Sequence, residues 1–142
     1  MDALDRVAYD NNFISVIENL LARTGTLERY TATGQDFRAR RLALTYSGPL
    51  EVSGGEIDVT GSYHRVDTQA GAANDDLEDV NGTEEGQLLV LRSFDSGNHV
   101  RLMDGIGNLR LGANRTLDHV DDAIILISDG TLLYEVAFAN NG

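Results

Sequence analysis

Residues 123–138 read Ala123-Ile-Ile-Leu-Ile-Ser-Asp-Gly-Thr-Leu-Leu-Tyr-Glu-Val-Ala-Phe138. Asp129-Gly130 tolerates the positive φ of a type I′ turn, whose twist matches that of paired strands, so a tight hairpin is predicted between Ala123–Ser128 and Thr131–Phe138. The aliphatic run Ile124, Ile125, Leu126 and Ile127 leaves the first of these strands no polar face. Such a strand is expected to be covered on both sides. A body of this size rarely covers both faces of its own sheet, so part of the cover is expected from other copies of the chain. Ile124, Ile125, Leu126 and Ile127, with Leu132, Leu133 and Val136, are therefore the expected core or trimer seam.

Short apolar runs broken by turn residues continue upstream. Leu42–Tyr46, Leu50–Val52, Leu88–Arg92, His99–Met103 and Gly107–Leu111 read as strands, separated by segments such as Ser53-Gly-Gly55 and Gly112-Ala-Asn114. Ile57, Val59 and Tyr63 alternate with Asp58, Thr60 and His64, the period-2 pattern of one half-buried strand. The chain is expected to be mainly β, with an antiparallel β-sandwich or jelly-roll body. From Gln69 to Gly86 runs a stretch with six acids (Asp75, Asp76, Glu78, Asp79, Glu84, Glu85) and no base. Its length and polarity predict an exposed excursion tucked down by Leu77 and Val80.

Charge divides the chain. There are 23 acids and 11 bases, every base an arginine, for a net charge of −12 over 142 residues. Residues 1–47 hold six acids and six arginines, so residues 48–142 carry the whole imbalance. This marks 1–47 as an arm and 48–142 as an acidic β-rich body. In the arm, Phe13, Val16, Ile17, Leu20 and Leu21 fall at helical spacing, predicting a short helix over about 13–23, with an extended arm as the alternative. Its apolar face is open to two roles, packing on the body or docking on another protein. Arg38, Arg40 and Arg41 are either a solvated cluster or an anchor for carboxylates on an acidic partner.

A body this acidic repels phosphate backbones and anionic lipid, which argues against a nucleic-acid or membrane partner. No run of about 18 apolar residues could span a bilayer, and Met1-Asp-Ala-Leu-Asp5 lacks a secretion-signal pattern. Without cysteine there is no disulfide, thiolate metal site or thiol nucleophile. His64, His99 and His119 are too dispersed for a metal or catalytic motif, and no nucleophile elbow is present. Asp104-Gly-Ile-Gly-Asn108 and Asp118-His-Val-Asp-Asp122 offer oxygens to calcium or form ordinary turns, and neither matches an EF-hand. No enzyme activity, metal or cofactor is expected.

The order of segments in 57–142 also carries a resemblance. Ile57-Asp-Val-Thr-Gly-Ser-Tyr-His-Arg-Val-Asp-Thr68 precedes the acidic stretch, then come Gly86-Gln-Leu-Leu-Val-Leu-Arg92, Val100-Arg-Leu-Met-Asp-Gly-Ile-Gly-Asn-Leu-Arg-Leu111 and the hairpin quoted above. This resembles the C-terminal β-modules of tailed-bacteriophage virion surface proteins, both head decorations or head fibres and tail fibres. Where that pattern often has tryptophan near its end, this chain has Tyr134. The resemblance implies a homotrimeric structural protein of the phage particle, and it assigns no catalytic residue. The short neutral arm and the lack of a repetitive shaft favour a capsid decoration or cement protein bound to the major capsid protein or another virion protein. Phe13, Ile17, Leu21, Arg38, Arg40 and Arg41 are then the expected docking residues. The alternative is a tail-fibre or tail-tip knob that binds a host surface glycan.

Overall fold

In residues 54–66 the buried side chains are Ile57 and Val59, then His64 and Val66, two alternating pairs separated by a corner at Thr60–Ser62 that breaks the run into short strands. A computed structural model describes residues 40–142. Phe13, Ile17, Leu21 and Arg38, and the helix predicted over about 13–23, lie outside the described residues. The strands run β1 (Pro49–Glu51), β2 (Glu56–Asp58), β3 (Tyr63–Asp67), β4 (Asn74–Leu77), β5 (Asp79–Asn81), β6 (Leu88–Ser93), β7 (His99–Leu102), β8 (Leu109–Arg110), β9 (Arg115–Leu117), β10 (Ala123–Ser128) and β11 (Leu133–Ala139). The body is mainly β.

The strands wind as a β-solenoid. β2, β3 and β4 form one turn, and β5, β6 and β7 form the next, each lying parallel to its counterpart: Glu56 opposite Asp79, Tyr63 opposite Val90, Asn74 opposite His99. The expected antiparallel sandwich or jelly-roll is thus replaced by a fold in which most ladders are parallel. Parallel neighbours need a long crossover, and here the crossover is the remainder of the turn. Inward side chains stack in register along the winding, Ile57 on Val80, His64 on Leu91 and Leu77 on Leu102, all buried. Each such aliphatic side chain contributes about 1.5–3 kcal/mol by leaving water.

Two local expectations change for the same reason. Ile57 and Val59 point inward as predicted, but the chain turns a corner at Thr60–Ser62 and resumes in a different sheet. After the corner His64 and Val66 face the core and Tyr63 faces out, so one predicted strand is two, with the parity reset. The acidic stretch is not an excursion either. It contains a 3-10 turn (Gln69–Gly71) and strands β4 and β5, with Leu77 and Val80 fully buried. Asp75, Asp76, Glu78 and Asp79 are half-buried around the anchors Leu77 and Val80, and Glu84 and Glu85 are exposed in the turn before β6.

Beyond β7 the winding closes. β9 returns antiparallel to β7, β10 antiparallel to β6, and β11 antiparallel to β10, giving a six-stranded sheet of order β1-β3-β6-β10-β11-β8. The predicted hairpin is present, but its loop is four residues long, with Ser128 opposite Leu133. Gly130 alone of the pair has positive φ, so the turn is not type I′. Asp129 instead fixes it, its Oδ1 accepting from the N–H groups of Thr131 and Leu132 at 2.9 and 2.7 Å. Leu42–Tyr46, expected as a strand, has no regular structure and is exposed.

At the other end of the winding three strands form sheet edges, and each bears residues that discourage further pairing. β1 contains Pro49 and Glu51, β2 exposes Glu56 and Asp58, and β4 carries Asp75 and Asp76. Asp76 lies opposite Arg101, whose guanidinium sits 2.7 Å from its Oδ1.

Candidate functional site

The aliphatic run at β10 divides by parity. Ile124 and Leu126 are fully buried with Leu133 in the core, whereas Ile125 is half-buried and Ile127 is 39% exposed on the opposite face. Of the residues expected in one core or seam, Leu132 is half-buried and Val136 is 56% exposed. The expectation that this strand is covered on both sides therefore holds on the inner side alone, among the described residues.

The outer side is the candidate site. Register places Leu88, Ile127 and Tyr134 in one row across β6, β10 and β11, and Tyr63, Val90, Ile125 and Ala137 in the next. Between Ile125 and Leu126 the β10–β11 register slips, and Val136 is left protruding at the bulge, as bulges do. Tyr46 extends the patch past β3, its ring 5.4 Å from that of Tyr63. Strands β6 and β10, which run through the middle of the face, contain no acid.

Arginines frame the patch. Arg65 and Arg92 follow in the third row, and Arg110 lies opposite Tyr134 on β8. These are three of the five arginines in residues 48–142. Arg92 donates to the Val120 carbonyl at 2.6 Å and lies 3.5 Å from Asp121, which holds its guanidinium at the rim. Arg40 and Arg41 are exposed, and Arg38 lies outside the described residues.

Polar clusters singled out in the sequence have structural partners. Asp122 is buried and its carboxylate accepts N–H bonds from Asp118, His119 and Asn141 at 3.0, 3.0 and 2.7 Å. Burial pushes its pKa up, but these donors outweigh that and hold it below the usual carboxylate range. Asp104 accepts from Leu111 N–H, and its own N–H is held by Asn114. His64, fully buried, accepts from Thr60 N–H through Nε2, so its Nδ1 donates to the Gly48 carbonyl. His119 is half-exposed beside Asp121, and His99 starts β7. Among the described residues no group of three or more His, Cys, Asp or Glu side chains is arranged to hold a metal ion.

One ionic feature was not foreseen from the sequence. Arg115 donates twice to Glu135, at 2.8 and 2.9 Å, and its guanidinium lies 5.2 Å from the centre of the Phe138 ring. The Arg115 hydrogen bonds lower the Glu135 pKa against the effect of partial burial. The Glu135–Ala137 bulge turns Glu135 toward β9, and period-2 alternation gives no sign of it. No protein-family model, no curated protein and no solved structure matches the chain.

Proposed function

We propose that this chain is a homotrimeric structural protein of a bacteriophage particle, a capsid decoration or cement protein. Residues 1–47 form a helical or extended arm that docks on the major capsid protein, and the acidic β body faces solvent. The observation that supports this reading is the division of the body's surface into one acid-poor apolar face and an otherwise acidic exterior. A protein that lives on the outside of a particle uses the first to assemble and the second to stay soluble. Binding to an assembled shell and not to free subunits stabilises the shell by mass action, and several arms per assembly convert weak contacts into avidity.

The test is co-sedimentation of the purified protein with phage heads stripped of their decoration. The intact chain should pellet with heads, and a chain lacking residues 1–41 should assemble normally and remain in the supernatant. Failure of the intact chain to bind heads, together with selective retention on a glycan array, would replace the decoration reading with a receptor-binding knob.

A further inference from the structure

We infer that the outward face of the six-stranded sheet, built from Tyr63, Leu88, Val90, Ile125, Ile127 and Tyr134, is covered by a second copy of this chain. The inference rests on the self-association in the reading above and not on the phage particle. A contiguous apolar patch over four strands, exposed at Leu88, Ile127 and Tyr134 and half-buried at Tyr63, Val90 and Ile125, is more than scattered surface residues. It calls for a partner surface, and charge selects which one.

Two bodies that each carry the chain's whole −12 repel one another over most approaches. The approach along this sheet differs, because β6 and β10 present no carboxylate there and Arg65, Arg92 and Arg110 stand at the margin. A second copy supplies the same aliphatic rows for the centre. It also supplies exposed rim carboxylates, Glu51, Asp121 and Asp129, which accept bonds within their own chain and still carry net negative charge toward the arginines. Apolar centre and ionic rim are the usual anatomy of a protein interface. A basic partner would meet the arginines with like charge, whereas a second copy brings carboxylates toward a rim where carbonyls of Val120, Gly107 and Leu109 already hold Arg92 and Arg110 in place.

The absence of cysteine makes the test direct. In the full chain, Ile127→Cys is compared with Ala113→Cys, an exposed loop position, for maleimide labelling, while light scattering gives the mass. The expected result is an assembly in which the thiol at 127 labels at least tenfold more slowly than the thiol at 113. The double change Ile125→Glu with Ile127→Glu should reduce the mass to the 15.4 kDa of one chain while circular dichroism still shows a cooperative melt.

An assembly with equal labelling at the two sites overturns the inference and leaves the trimer reading standing. A wild-type mass of one chain overturns both, and protection of the thiol at 127 in that monomer assigns the face to residues 1–39. Because the labelling pair does not require the double variant to fold, the test survives if that variant aggregates. Loss of head binding by a normally assembled protein would count against the decoration reading alone.

Discussion

The side-chain amide of Asn108 pairs with both backbone polar groups of Val80, its Oδ1 accepting the N–H at 3.0 Å and its Nδ2 donating to the carbonyl at 2.8 Å. β5 carries β2 on one side, and on the other a single side chain does what a further strand would do. The backbone of Asn108 is tied in as well, its N–H to Asp79 Oδ1 at 2.9 Å and its carbonyl to Leu133 N–H at 2.9 Å. Asn108 therefore joins the last turn of the winding to the closing hairpin.

Asn108→Ala should destabilise the body by about 1–3 kcal/mol, because it leaves the Val80 N–H and carbonyl without partners. Asn108→Asp should cost at least as much, since a carboxylate cannot donate to the Val80 carbonyl and stands close to Asp79. Urea unfolding measures both, and an Asn108→Asp variant of wild-type stability would show that the amide is not the link.

Gly105 and Gly107 both have positive φ, 74° and 54°, within one loop. A Cβ at Gly105 meets nothing within 4 Å, whereas one at Gly107 runs into the Glu78 carbonyl and the Asp79 carboxylate. Gly105→Ala should cost about 1 kcal/mol of conformational strain, and Gly107→Ala more than about 2 kcal/mol because backbone must move as well. Thermal melts of the two variants should rank them in that order.

Acid should unfold the body by a predictable route. Asp122, Glu135 and Asp129 have pKa values lowered in the folded state. Their stabilising effect is complete above the unfolded values of about 3.9–4.3 and is lost as pH falls through the lower folded values. Stability should be steady above about pH 5 and decline below about pH 4. Asp122→Asn should lose about 1.5–3 kcal/mol at neutral pH and show a shallower acid decline. The variant and wild type share the relief of general charge repulsion, so their difference isolates Asp122. Parallel acid limbs for the two proteins would contradict the assignment.

Neighbouring residues on β10 should behave oppositely. Leu126→Ala removes a fully buried side chain and should cost about 2–5 kcal/mol. Ile127→Ala, on the outward face, should change the stability of the isolated chain by less than about 1 kcal/mol. Urea midpoints at low protein concentration separate the two.

The β-rich character of the body was readable because apolar alternation and turn residues are local signals. Ala123–Ser128 was predicted with its observed bounds, and Leu77 and Val80 were recognised as anchors. The direction of pairing was not readable. A strand of three to six residues looks the same whether its neighbour follows a hairpin or arrives a full turn later, and only long-range contacts such as Ile57 with Val80 distinguish them. Corners caused the other misreading, since Thr60–Ser62 reset the parity and turned Tyr63 outward. The candidate face was legible at Ile125 and Ile127, where an aliphatic run exceeded what one side of a strand can bury. It was not legible at Leu88, Val90 or Tyr134, because apolar residues occupy both faces of β6 and only burial tells them apart.

The proline and carboxylates on β1, β2 and β4 have a consequence for how copies can meet. A winding of rungs could in principle extend without limit by adding each newcomer's first rung to the last molecule's open end, which would yield fibres. With that end sealed by a missing donor and by negative charge, end-to-end stacking through β1, β2 and β4 is opposed, and copies meet more readily through the flank of the winding.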